Sequence, residues 1–274
     1  MYTIVRKKPL NPSVTLMEVE APFIARKARA GQFVILRVNE TGERIPLTIA
    51  DHDGEAGTIT IIYQKVGKTT RLLDTLEAGE SILHVVGPLG RATEIDDIRR
   101  VAVVGGGVGC AIAYPEAKAF HMAGAQVDMI AGFRNRDIIM LEDELAAASD
   151  RLFVMTDDGS NGNKGFVTVK LQQLLEEGAA YDLVMAIGPL PMMRAVAEVT
   201  RPLGIKTVVS MNPIMIDGTG MCGGCRLTVG GETKFACVDG PEFDAHQIDW
   251  EEAMHRLTQY REEEQHACRL YTQA

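Results

Sequence analysis

The sequence has no excess of basic residues: 28 lysines and arginines face 37 aspartates and glutamates, which leaves a net charge of −9. Nucleic acids and anionic membranes both attract basic surfaces, so neither is expected as the main partner. Long apolar runs are missing too. No stretch reaches the roughly 18 consecutive apolar residues of a membrane span, and the first residues hold no apolar run of signal-peptide length. A cytoplasmic protein is therefore expected.

Cysteine is scarce and unevenly distributed, because three of the five cysteines lie close together near the C-terminal end. Cys222 and Cys225 are separated by two residues in a Gly-rich loop, and a hairpin turning at the glycine pair 230–231 would return Cys237 to them. Four residues separate Asp217 from Cys222. The series Asp-x4-Cys-x2-Cys-x11-Cys thus places an aspartate where plant-type [2Fe-2S] ferredoxins have their first cysteine.

Three other interpretations of these residues stay open from the spacing alone. A zinc site would also accept three thiolates and one carboxylate oxygen. A disulfide is less favoured, because three local cysteines leave one over. Asp217 could be a turn former only, since Asp-Gly is a strong turn dipeptide. The leading hypothesis is an iron–sulfur cluster held by Asp217, Cys222, Cys225 and Cys237.

Residues 1–97 contain six short runs rich in β-branched residues, with Gly, Pro or Asn between them. The runs are YTIVRK, VTLMEVE, QFVILRV, IPLTIAD, TITIIYQ and SILHVVG. This pattern predicts an antiparallel β-barrel. Within it, the glycine, lysine and two threonines at 67–70 open a helical segment, and such a helix start favours a diphosphate. An ordinary turn with an N-cap threonine is the alternative.

Residues 98–211 alternate between strand and helix patterns, which predicts an α/β domain with a parallel sheet covered on both faces. Four glycines between the first strand and its helix are suited to a pyrophosphate: Gly105, Gly106, Gly107 and Gly109. Cys110 takes the last glycine position of G-x-G-x-x-G, so the match to the dinucleotide fingerprint is imperfect. We expect Cys110 to be a small packing residue.

Residues 212–274 are expected to form a cluster lobe that ends near Phe243, followed by one helix. The segment 244–270 carries Ile248, Met254, Leu257 and Tyr260 near helical spacing with charges between them. It predicts an amphipathic helix packed on the body of the protein or on a partner.

The stretches RIPLT, YQKVGKTT and GPLGR together resemble the flavin domain of the ferredoxin reductase superfamily. The resemblance implies a Greek-key barrel whose strand at 45–48 lies against the ring of FAD, with Thr69 and Thr70 at the diphosphate. It also implies that the Thr48 hydroxyl assists hydride arrival near flavin N5. The expected FAD site comprises Arg44, Ile45, Pro46, Leu47, Thr48, Tyr63, Gln64, Gly67, Lys68, Thr69 and Thr70.

In the α/β domain, the loop TDDGSNGNKG and the stretch AIGPLPMM resemble the segments that flank the nicotinamide nucleotide in this superfamily. The expected NAD(H) site adds Asp157, Asp158, Gly159, Gly188 and Pro189 to the four glycines. Arg134 follows the second strand, where the fingerprint expects an acid that binds the ribose hydroxyls, and could suggest a 2′-phosphate. The resemblance favours NADH.

The stretch from AIGPLPMM to HQIDW resembles the small subunit of NADH-dependent reduced ferredoxin:NADP oxidoreductase, also described as sulfide dehydrogenase, in a branch that also holds the electron-transfer subunit of dihydroorotate dehydrogenase. In the dihydroorotate branch all four ligands are cysteine, so Asp217 favours the ferredoxin branch. The implied function is electron bifurcation with a larger flavoprotein subunit that holds [4Fe-4S] clusters, binds NADP(H) and reaches ferredoxin. A dihydroorotate dehydrogenase subunit and a zinc-stabilised nucleotide sensor without redox turnover are the alternatives.

Overall fold

The computed structural model describes residues 1–273, which divide into two compact units. The barrel unit contains residues 1–91 and 212–241 and the chain from Asp249 onward. The sheet unit contains residues 92–211 and 242–248. The predicted iron ligands and the predicted flavin strand therefore belong to one compact body, the barrel unit.

The barrel unit is built on seven antiparallel strands in the order β6-β1-β2-β5-β4-β3-β7. Since β6 and β7 are consecutive in the chain yet occupy opposite ends of this order, the sheet curls into a nearly closed barrel. The barrel prediction is confirmed. The strands are β1 (Tyr2–Asn11), β2 (Val14–Glu20), β3 (Phe33–Arg37), β4 (Arg44–Asp53), β5 (Thr58–Gln64), β6 (Ser81–Ile82) and β7 (His84–Leu89). Two helices of the barrel unit are α1 (Pro22–Ala25) and α2 (Lys68–Asp74).

Alternation along the strands fills the barrel interior. On β5, Ile59, Ile61 and Tyr63 share one face and are each 1% exposed, while Met17 of β2 is fully buried beside them in the same core. Residues two apart on a strand point to the same side, so the pattern TITIIYQ sends every second side chain inward.

The sheet unit holds five parallel strands, which confirms the predicted parallel sheet. Their order is β10-β9-β8-β11-β12. They are β8 (Arg100–Gly106), β9 (Gln126–Phe133), β10 (Arg151–Thr156), β11 (Leu183–Ile187) and β12 (Thr207–Ser210). The helices are α3 (Gly109–Met122), α4 (Glu142–Ala147), α5 (Val167–Glu176) and α6 (Leu190–Thr200), with single 3₁₀ turns at Arg136–Ile138 and Arg201–Leu203. The strand order reverses at β8, which places the crevice for a nucleotide beyond the carboxyl ends of β8 and β11.

The cluster lobe contains the expected hairpin. Strands β13 (Arg226–Val229) and β14 (Glu232–Phe235) pair in antiparallel register, and α7 (Ala236–Asp239) follows. Gly230 and Gly231 form the turn with φ of +61° and +80°. Positive φ at both central residues is the requirement of a type I′ turn, which glycine meets without strain.

The single helix predicted over 244–270 is wrong. Strand β15 (Glu242–Asp244) instead pairs antiparallel with β12, and two helices follow, α8 (Trp250–Arg256) and α9 (Arg261–Gln273). The side chain of Asp249 caps α8 by accepting from the Glu252 amide at 2.9 Å, so Ile248 lies before the helix. The end of α8 at Arg256 and the start of α9 at Arg261 could not be seen in the sequence, because both helices have the same mixture of charged and apolar residues. Within residues 1–273 no helix is long and apolar enough to cross a membrane.

Candidate functional site

The predicted iron ligands lie on the loop that precedes β13 and on α7. Cys222 is exposed, whereas Cys225 and Cys237 are each 2% exposed. The hairpin β13–β14 returns Cys237 to Cys225, as its backbone N–H lies 3.4 Å from the Cys225 Sγ. Asp217 lies beside Cys222, whose N–H donates to the Asp217 carboxylate at 2.7 Å. The structure therefore brings the four donors together as two neighbouring pairs.

This arrangement in two pairs agrees with the predicted two-iron cluster. Within residues 1–273 no three His, Cys, Asp or Glu side chains converge as a site for one metal ion. A [2Fe-2S] cluster takes four protein ligands shared between two irons, so ligands in pairs suit it. The donor set of three sulfurs and one carboxylate would give such a cluster one hard oxygen ligand.

The electrostatics of the donors follow from their surroundings. The backbone N–H of Thr219, and after it that of Cys222, lower the pKa of the Asp217 carboxyl, which keeps this donor ionised. Burial, with a smaller contribution from neighbouring Cys225, raises the pKa of the Cys237 thiol to about 12. A thiol that binds a metal is deprotonated, and a neighbouring metal cation lowers its pKa.

Gly218 seats the ligand loop on the barrel. Its φ is +79°, and a Cβ added there would lie 2.7 Å from Leu89 Cδ1 and 2.8 Å from Ile35 Cδ1. A Cβ would therefore force these two side-chain ends to shift, and the positive φ favours glycine in addition. Ile35 pairs with Pro46 across β3 and β4, which puts the loop beside the strand predicted to carry the flavin.

That strand has an open edge. In the described part of the chain, residues 44–48 pair with β3 alone, because β5 meets β4 only from Ile49 onward. Ile45, Pro46, Leu47 and Thr48 are all half-buried, and Ile45 and Leu47 pack against the barrel core. Backbone N–H and C=O groups on an open edge are free to pair with a ligand. The arrangement fits the edge of a flavin ring.

The start of α2 is less open than the sequence suggests. Gly67 is the N-cap, and the Thr70 hydroxyl accepts from the Gly67 amide at 3.1 Å, which is the half of a capping box that the N3 residue supplies. The Thr69 hydroxyl donates to Glu43 at 3.1 Å and is buried. Both hydroxyls predicted to meet a diphosphate thus have partners within the protein, and a first-turn amide such as that of Lys68 is the better candidate.

Tyr63 belongs to the barrel core. Its hydroxyl donates to Asp74 at 3.2 Å, and Asp74 also accepts from Thr15 at 2.7 Å. Burial, reinforced by the Asp74 charge, raises the pKa of the Tyr63 hydroxyl, which therefore stays protonated. Only the backbone of this residue remains available to a cofactor, whereas Gln64, at the end of β5, is half-buried. The inward face of the alternating run TITIIYQ was the signal for this placement.

In the sheet unit, the glycine loop after β8 meets the loop after β11. A Cβ at Gly109 would lie 2.8 Å from the Cα of Gly188 and would collide with the carbonyl of Ile187, while one at Gly106 would lie 3.3 Å from Pro189 Cδ. The structure thus brings the predicted glycines of both loops together at the crevice. Because these glycines lack a Cβ, the two loops can approach each other closely at the carboxyl edge of the sheet, where a pyrophosphate would bind.

The other residues of this region divide between the crevice and the core. Gly107 adopts φ of +58° with open space around it, and Gly105 packs on Cys110. Cys110 is fully buried, and burial raises the pKa of its thiol to about 12, so the expected packing role is confirmed. Asp157 follows β10 and donates its amide to Phe133, whereas Asp158 and Gly159 form the exposed turn beyond it.

Two arginines at the ligand loop were not predicted. Arg226 Nη1 donates to the carbonyl of Gly223 at 3.2 Å, and Arg256 Nη2 donates to that of Gly224 at 3.0 Å. The adjacency of Arg226 to Cys225 was a signal for the first. No signal existed for Arg256, because it lies 31 positions beyond Cys225 and is brought back by α8.

Comparison with known proteins agrees with both sites. Residues 212–249 match the model of the iron–sulfur cluster binding domain of dihydroorotate dehydrogenase B. Residues 103–198 match that of the oxidoreductase NAD-binding domain. A Thermotoga maritima protein, described as a homologue of the electron transfer subunit of dihydroorotate dehydrogenase B (NAD(+)), is 47% identical over 95% of this chain and 92% of its own.

Two further proteins are similar to this chain over nearly its whole length. The electron transfer subunit of dihydroorotate dehydrogenase B from a Geobacillus species is 32% identical over 90% of this chain and 96% of its own length. A chain in the structure of NADH-dependent reduced ferredoxin-NADP oxidoreductase, described with flavin-based electron bifurcation, is 41% identical with a TM-score of 0.93, covering 99% of this chain and 98% of that one. The chain therefore belongs to the family of dihydroorotate dehydrogenase B electron transfer subunits and their homologues, oxidoreductase subunits that use NAD(H), FAD and a [2Fe-2S] cluster.

Proposed function

We propose that this chain is the NADH-side subunit of an electron-bifurcating NADH-dependent reduced ferredoxin:NADP oxidoreductase. In that role it passes electrons between NAD(H) and a larger cytoplasmic flavoprotein partner that holds iron–sulfur clusters, binds NADP(H) and reaches ferredoxin. The observation that carries the proposal is the Asp217 carboxylate in the ligand loop beside Cys222. The dihydroorotate branch is expected to have cysteine there.

The proposed assignment of ligands follows the pairs in the structure. Asp217 and Cys222 hold one iron, and Cys225 and Cys237 hold the other. A carboxylate in place of a thiolate gives one iron a harder donor, which changes the electronic balance between the two irons. Cys222 is the exposed ligand, so its side of the lobe is the exit towards the partner.

The proposed roles of the other residues are binding and orientation. The flavin supplies the conversion between the two-electron chemistry of the nicotinamide and the one-electron chemistry of the iron. The open edge at residues 44–48 holds the ring, and the Thr48 hydroxyl hydrogen-bonds near its reacting nitrogen. Gly106, Gly109 and Gly188 admit the dinucleotide pyrophosphate to the backbone amides of the crevice.

The degree of similarity supports this branch. The chain shares 41% identity with the ferredoxin-NADP oxidoreductase chain and 32% with the Geobacillus dihydroorotate dehydrogenase subunit. The second candidate, an electron-transfer subunit of dihydroorotate dehydrogenase, is favoured by the family model that matches residues 212–249 and by the 47% identical Thermotoga maritima protein, which is described as a homologue of that subunit. The two candidates share fold and cofactors and differ in the partner.

Purification of the complex from its native host separates the two candidates. We expect a tagged chain to bring down a larger flavin and iron–sulfur protein, and the pair to reduce NAD⁺ and ferredoxin together with NADPH as the donor. The matched control is the Cys237→Ser variant of the same complex, which should bind the partner but transfer no electrons. Recovery of dihydroorotate dehydrogenase, with dihydroorotate as the effective donor, would overturn the proposal.

A further inference from the structure

The two glycines between Cys222 and Cys225 are each held by an arginine from a different element. Arg226, the first residue of β13, donates to Gly223 O at 3.2 Å. Arg256, the last residue of α8, donates to Gly224 O at 3.0 Å. Two separate parts of the barrel unit therefore converge on two successive peptide groups of the ligand loop.

One of these peptide groups also reaches a sulfur. The amide formed by the Gly223 carbonyl and the Gly224 nitrogen accepts from Arg226 on its oxygen side. On its nitrogen side it lies 3.4 Å from Cys222 Sγ, to which its N–H donates. A cation bound to the carbonyl polarises the amide and strengthens the hydrogen bond that the N–H makes. The guanidinium of Arg226 is thus connected to a predicted iron ligand through a single peptide unit.

Neither arginine has its charge neutralised by a carboxylate. Among the ion pairs of residues 1–273, none involves Arg226 or Arg256. Arg256 also buries its Nε, which finds no acceptor within the described chain. A buried, unpartnered donor costs stability, so a residue that served packing alone would be better replaced by an apolar one. Both guanidinium charges therefore act on the ligand loop without a paired carboxylate among the described residues.

We propose that Arg226 and Arg256 are positioning residues that hold the Gly223–Gly224 turn and raise the reduction potential of the iron–sulfur centre. Three thiolates and a carboxylate bring four negative charges to the ligand set, and each added electron makes the centre more negative. Nearby cations and amide hydrogen bonds to sulfur both favour the reduced form. The inference rests on the proposed ligand set, since it requires Cys222 to be a ligand.

The test is an electron paramagnetic resonance redox titration of the intact complex, with iron and sulfide measured on each variant. Arg226→Gln is expected to lower the ratio of reduced to oxidised centre at a fixed potential on the order of tenfold, which is 59 mV for one electron. Arg256→Gln should shift it in the same direction but less, because the Gly224 carbonyl it binds belongs to a different amide from the one that donates to Cys222. Arg226→Lys keeps the charge and should recover most of the shift.

Arg6→Gln is the matched control, because it removes the same charge from β1 of the barrel unit, where the guanidinium pairs with Glu18. Its potential should equal that of the unmodified complex. Unchanged potentials in both Gln variants, with full iron, would overturn the proposal. Iron loss in the Gln and Lys variants alike would assign the arginines a structural role only, and would overturn it too. A wrong ligand set gives a different result: the Asp217 and Cys222 variants would then keep the paramagnetic signal.

Discussion

Gly218→Ala tests whether the ligand loop is seated on the barrel as described. The substitution has two costs. Alanine at φ of +79° is strained by roughly 1–2 kcal/mol. Its Cβ would also press on Leu89 and Ile35 at 2.7 and 2.8 Å, and overpacking of this kind costs about 1–3 kcal/mol more. We expect a total loss of about 2–5 kcal/mol in the free energy of unfolding, together with a lower iron content.

Gly231→Ala separates these two costs. Gly231 has a nearly identical φ of +80°, but a Cβ there would meet nothing within 4 Å. It should therefore lose only the conformational part, about 1–2 kcal/mol, and keep its iron. Denaturant unfolding of the purified complex gives the stabilities, and colorimetric iron analysis gives the occupancy. Equal losses and equal iron in the two variants would refute the packing of the loop on β3 and β7.

Three further predictions follow. Asp217→Ala should lose the iron–sulfur centre while flavin stays bound. Asp217→Cys should keep the centre with an altered paramagnetic spectrum. An Ala variant with an unchanged spectrum would rule out the carboxylate as a ligand. Thr48 lies at the open edge of β4. Thr48→Ala should slow flavin bleaching by NADH at least tenfold in stopped flow, with flavin content unchanged, because it removes the hydrogen bond proposed between the hydroxyl and the reacting centre. An unchanged rate would contradict the proposed role of Thr48. Burial raises the pKa of the Glu242 carboxyl from 4.5 to about 7. Between these two pH values the folded protein holds a proton that the unfolded chain releases. The free energy of unfolding of the sheet unit should therefore fall by up to roughly 3 kcal/mol as pH rises from 4.5 through 7. Glu242→Gln should flatten this dependence in pH-resolved unfolding, and an identical profile in the variant would show that Glu242 is not its source.

Sequence patterns predicted the features that depend on residues close together in the chain, such as turns and neighbouring strands and helices. The Gly-Gly turn at 230–231 required positive φ at both residues, so the hairpin that returns Cys237 to Cys225 could be read from the sequence. The alternation of strand and helix predicted the parallel sheet for the same reason, since each βαβ unit is formed by neighbouring segments.

Features that depend on distant contacts could not be read in this way. Strand β15 is short and becomes a strand only because Val209 of β12 offers a partner to Phe243. Arg256 reaches the ligand loop through the placement of α8, which no local pattern encodes. Thr69 and Thr70 illustrate a third limit, because hydroxyls that suit a phosphate suit a capping box or a neighbouring carboxylate equally well.

The central claim is that electrons from NADH reach an iron centre through a flavin on this one chain. Anaerobic addition of NADH to the purified complex, followed by absorbance and by electron paramagnetic resonance of rapidly frozen samples, tests it directly. We expect bleaching of a yellow-brown chromophore and a [2Fe-2S] signal that disappears in the Cys225→Ser variant. A colourless protein, a chromophore that NADH does not bleach, or a signal that survives in that variant would contradict it.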